Sequence, residues 1–146
     1  MTPSDYRGSI TADIAPDEAF EKITRVSEWW GTQVEGQSRQ MHDRFTVRFA
    51  SGDSYTLQIA EVVANQRMVW AVIAARQDWV KDPREWVGTR IVWEISSQAQ
   101  GTRIEMTHIG LVPDSECYER CSMAWDWLME SSLTRFLSDR TGLPVT

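Results

Sequence analysis

Apolar and polar positions alternate along most of this chain, predicting short β-strands, and one late segment switches to a helical period. Ile10, Ala12 and Ile14 share one face of an opening strand expected over residues 7–15. Pro16 sits where a first helical residue is tolerated, and Asp17 and Glu18 suit the positive end of the helix dipole. Phe20, Ile23 and Val26 give that short helix one apolar stripe, and Trp29-Trp30-Gly31 ends it. A weak edge strand is expected within residues 34–41, followed by a turn at His42-Asp43. Phe45, Val47 and Phe49 alternate with Thr46 and Arg48, Ser51-Gly52-Asp53 reads as a hairpin turn, and Tyr55, Leu57 and Ile59 resume the alternation. The register slips near Glu61-Val62-Val63, where a bulge is expected. Residues 67–75 are almost wholly apolar and read as a central strand. Residues 76–84 are the candidate mobile loop. Two more strands follow: residues 86–97, with Thr89, Ile91, Trp93 and Ile95 on one face, and residues 102–111, with Ile104, Met106 and His108 inward.

The helical period occupies residues 113–141. Pro113, Asp114 and Glu116 resemble a helix start, and steps of about 100° place Tyr118, Cys121, Trp125, Ser132 and Phe136 on one face. Glu119, Arg120, Asp126 and Glu130 lie opposite. Met123 and Trp127 fall on that polar side, an apolar pair that is either a partly covered surface or a homodimer or partner contact. Short hairpin links favour an antiparallel meander over βαβ units. The predicted fold is α+β: a curved antiparallel sheet of six or seven strands around a long C-terminal helix, in one domain spanning residues 1–146.

Composition narrows the function classes. A formal net charge of -6 and a pI near 4.9, without a run of Lys or Arg, argue against nucleic acid as a partner. No stretch approaches the roughly 20 apolar residues of a membrane span. The N-terminus lacks a signal-peptide pattern, so the expected location is cytoplasmic. Eight tryptophans each require packing or a ligand to meet.

The chemistry-bearing residues are few. Neither a GxSxG nucleophile motif nor a phosphate-binding glycine loop is present, and no catalytic residue is assigned. Cys117, Cys121 and His108 supply three donors of a zinc site but lack a fourth, and packing is the reading favoured over metal. No metal or cofactor is therefore expected. His108 is the one group suited to acid–base work near neutral pH, set against a core histidine bonded to its surroundings.

The stretches EWWGTQVEGQS, DRFTVRF, EWVGTRIVWEI and above all THIGLVPDSECYERCSMAW resemble the SRPBCC (START-like, helix-grip) superfamily, in the bacterial branch similar to the activator of the heat-shock protein 90 ATPase. Asp126 departs from that pattern, where a small residue is expected. The resemblance implies an apolar cavity between the sheet and the last helix. Its expected wall is Phe45, Val47, Leu57, Ile59, Trp70, Trp93, Met106, His108, Cys121 and Trp125, with His108 and Tyr118 orienting a polar end of a small apolar or aromatic ligand. The alternatives are a polyketide cyclase- or dehydratase-like enzyme using His108 as acid/base, and a chaperone-related or other protein-interaction module.

Overall fold

The structure, a computed structural model, describes residues 4–146. Strand β1 (Tyr6–Ala12) leads into helices α1 (Pro16–Thr24) and α2 (Val26–Trp29). Six strands follow: β2 (Gln33–Gly36), β3 (Arg44–Arg48), β4 (Ser54–Val63), β5 (Arg67–Arg76), β6 (Arg90–Gln98) and β7 (Gly101–Ile109). They form one antiparallel sheet in the order β1-β7-β6-β5-β4-β3-β2, so β5 is central, as its unbroken apolar run predicts. Only the β1–β7 pairing joins strands distant in sequence, with Tyr6 opposite His108.

The inner face carries the expected period. Phe45, Val47, Leu57, Ile59, Trp70, Ile91, Trp93, Ile104, Met106 and His108 are all buried. The register shifts between Ile59 and Glu61, next to the expected bulge, and again between Thr56 and Leu57. The edge strand is shorter than its alternation suggests. It stops at Gly36, whose φ of +96° and close approach to the Arg44 carbonyl leave no room for a side chain.

Two boundaries differ from the sequence reading. Strand β6 begins at Arg90, so Trp86 and Thr89 belong to the connection between β5 and β6. The C-terminal helix begins at Tyr118, not Pro113, and is not uniform: α3 (Tyr118–Trp127) passes into a π-helical turn (Leu128–Leu133) and then α4 (Thr134–Leu137). The two residues just before it are fastened from elsewhere in the chain. The Glu85 carboxylate accepts the N–H groups of Glu116 (2.8 Å) and Cys117 (3.2 Å).

Tryptophan fills the space between sheet and helices. Trp29, Trp70, Trp93 and Trp125 are fully enclosed. Trp93 meets Trp29 and Trp70 edge-on at 5.6 and 5.4 Å between centroids, and Trp30 stacks on Trp70 at 6.2 Å. Asp126 also has a structural part. Tyr6 donates its hydroxyl to the Asp126 carboxylate, fastening α3 to the edge strand, and burial followed by this carboxylate pushes the Tyr6 phenol well above its ordinary range. Among the described residues, no helix is long and apolar enough to cross a membrane.

Candidate functional site

Space remains at one end of the core, where α2, the start of β4, the β5–β6 connection and α3 converge. It is a cleft of about 380 Å³. Four buried aromatic rings form its floor: Trp30, Tyr55, Trp86 and Trp125. They close a circuit, with Trp30–Tyr55 at 6.2 Å, Tyr55–Trp86 at 4.2 Å, Trp86–Trp125 at 6.2 Å and Trp125–Trp30 at 5.3 Å. Tyr55 arrives on the inward register of β4, Trp125 on the buried face of α3, and Trp30 at the end of α2. Trp86 comes from the connection, which is anchored to the helix start. Besides the Glu85 contacts, Lys81 donates its backbone N–H to Glu116 (2.8 Å), and Trp86 donates its indole N–H to the Cys117 sulfur (3.3 Å).

The wall beside these rings is polar. Gln77, the residue after β5, is completely buried and donates its amide to the Tyr55 hydroxyl (2.7 Å) and the Cys121 sulfur (3.4 Å). Its carbonyl Oε1 has no hydrogen-bond partner. Burial pushes the Tyr55 phenol well above its usual range, keeping it protonated at neutral pH. A carbonyl buried without a partner costs about 1–3 kcal/mol, which a donor reaching Oε1 would recover.

At the mouth, Trp79 bridges two elements. Its indole N–H reaches the Asp53 carboxylate at 3.2 Å, and the Arg120 guanidinium lies 4.4 Å from its ring centroid. Trp127 completes the rim beside Arg120.

Of the eleven expected ligand residues, Cys121 and Trp125 line this cleft. Tyr118 is half-buried against the core and outside the lining. Phe45, Val47, Leu57, Ile59, Trp70, Trp93, Met106 and His108 lie in the packed interior instead, because Trp70 and Trp93 occupy the volume they were expected to border. Trp30, Tyr55, Gln77 and Trp86 line the cleft beside Cys121 and Trp125. The inward alternation of Tyr55 was a usable signal for it, while nothing local marks Gln77.

His108 is held from both sides. The Trp125 indole donates to its Nδ1 (3.1 Å), and its Nε2 lies 2.8 Å from the Thr89 hydroxyl, which itself donates to the Trp86 carbonyl (2.6 Å). An indole nitrogen can only donate, so Nδ1 accepts and the ring proton resides on Nε2. Burial lowers the His108 pKa to about 3, making it neutral at physiological pH.

No protein-family model matches the chain, and no curated protein does. Solved structures do. Protein MLL2253 from Mesorhizobium loti superposes with a TM-score of 0.73 at 20% identity, covering 94% of this chain and 98% of its own. The Aha1 dimer from Colwellia psychrerythraea gives 0.71 at 17% identity, covering 88% and 91%. CalU16 from Micromonospora echinospora gives 0.63 at 15% identity, covering 90% and 71%. The fold is helix-grip. At these identities the likeness extends to the backbone architecture, and the helix-grip frame by itself names no ligand.

Proposed function

We propose that this helix-grip domain binds a small planar aromatic molecule in the cleft and directs a hydrogen-bond donor of that molecule to Gln77. One observation carries the reading: an aromatic-floored cleft of about 380 Å³ whose polar wall includes a buried carbonyl without a partner. Its size is near the lower end of the roughly 300–1,000 Å³ typical of ligand sites, which suits one or two fused rings. Burying about 150–250 Å² of ring surface at ~25 cal/mol per Å² supplies roughly 4–6 kcal/mol before association costs. Affinity no tighter than tens of micromolar, and more often millimolar, is therefore expected for a minimal ligand.

The enclosed position of His108 favours binding over acid–base catalysis by that residue, since both ring nitrogens are engaged and neither borders the cleft. A chaperone contact draws support from the fold likeness alone. Two free, buried thiols suit a reducing compartment, in keeping with a cytoplasmic location.

Calorimetric titration with indole and 1-methylindole tests the proposal. Indole should bind one per chain and at least tenfold more tightly than its methylated analogue, and Gln77→Met should erase that preference. Equal affinities in the wild type, or nuclear magnetic resonance shifts remote from Trp30, Tyr55 and Trp86, would overturn it.

A further inference from the structure

Cys117 and Cys121 form a second feature that the ligand reading does not use. They stand one helical turn apart, joined by the backbone bond from the Cys121 N–H to the Cys117 carbonyl (2.8 Å). Both are buried free thiols, and each sulfur already accepts a nitrogen donor: Cys117 from the Trp86 indole (3.3 Å), Cys121 from the Gln77 amide (3.4 Å). Two N–H groups aimed at two neighbouring sulfurs favour electron-rich, thiolate-like sulfur.

We infer that the two sulfurs form a two-coordinate site for a soft, linearly bound d¹⁰ cation, with Cu(I) as the physiological candidate. Side chains at i and i+4 have Cβ atoms roughly 5–6 Å apart. A linear S–metal–S unit spans about twice a metal–thiolate bond of roughly 2.3 Å, which such a pair can bridge. Soft thiolate donors select this class of ion. The donor count points the same way. Among the described residues no cluster of three or more His, Cys, Asp or Glu exists, and His108 has both nitrogens committed, so a tetrahedral zinc shell has no third or fourth member. Binding Cu⁺ to two thiols releases two protons to solvent and leaves a complex of charge −1, which the Trp86 and Gln77 N–H groups face. Cys121 borders the cleft and gives the ion its way in.

Reduced full-length protein, titrated anaerobically with Cu(I) against bathocuproine disulfonate, provides the test. One Cu(I) per chain should transfer from the chelator, and Cys117→Ser and Cys121→Ser should each weaken binding at least 100-fold. X-ray absorption on the wild-type complex, which does not depend on how the variants fold, should show two sulfur neighbours and no nitrogen or oxygen shell. Failure to compete with the chelator, a single-sulfur shell, or only a few-fold loss in either folded variant would overturn the assignment. So would retention of one Zn(II) per chain in a four-ligand shell after dialysis.

Discussion

At the scale of single residues, His108 shows how burial decides chemistry. The free imidazole titrates near 6.5, and enclosure lowers it to about 3 because the charged form loses its water while Nδ1 is already accepting from Trp125. Between these two values the unfolded chain binds a proton that the native state refuses. Stability from this group is complete above about pH 6.5 and falls as pH drops toward 3, by at most ~1.4 kcal/mol per pH unit. His108→Gln should therefore cost about 1–3 kcal/mol at pH 7 through its broken bonds, yet lose stability less steeply than wild type between pH 6.5 and 4. Urea unfolding across that range measures both slopes. Parallel slopes would mean that His108 is not held neutral.

At the scale of elements, the C-terminal helix separates what periodicity reveals from what it cannot. The buried stripe of Cys121, Trp125, Ser132 and Phe136 was legible because apolar spacing near 3.6 reports burial directly. The helix start was not, since the segment just before it is held by Glu85, 31 residues before Glu116, and Pro113 imitates a local start. The same distant contact draws Trp86 out of the strand its alternation suggests. The π-helical turn was equally hidden. Four of its six residues, Leu128, Met129, Ser132 and Leu133, are buried, so the widened turn directs both leucines inward with Ser132 between them. Ser132 donates to the Trp29 carbonyl (2.5 Å) and accepts the Leu143 N–H (2.8 Å), tying the helix to α2 and to the terminal segment. Ser132→Ala leaves the buried Trp29 carbonyl without its donor and the more exposed Leu143 N–H to solvent, and should cost about 1–3 kcal/mol in urea unfolding. A loss under 0.5 kcal/mol would show that water replaces the hydroxyl and that this junction does not hold the turn in place.

At the scale of the whole molecule, strand number, antiparallel order and the grip on the last helix were readable because each follows from alternation and short turns. The cavity was not, because its position depends on which large rings meet across elements. Six tryptophans pack inside, moving the open space away from Trp70 and Trp93 to the end where Trp30 and Trp86 converge. The remaining two, Trp79 and Trp127, stand partly exposed at the cleft mouth, and Met123, 64% exposed, lies one turn from Trp127 outside the cleft lining. The sequence leaves Met123 and Trp127 open between a partly covered surface and a contact with a second copy or another partner. Trp127 also borders the cleft next to Arg120, whose guanidinium covers Trp79. That rim position gives Trp127 a role at the cleft apart from any contact with a second copy. Trp127→Asp should accordingly weaken indole binding by about tenfold, the effect of losing roughly 1.4 kcal/mol of ring contact, while leaving the sedimentation coefficient of the ligand-free protein unchanged. A wild-type dimer that this substitution dissociates would instead make the patch an interface. Unchanged affinity in a monomeric variant would place Trp127 outside the ligand's reach.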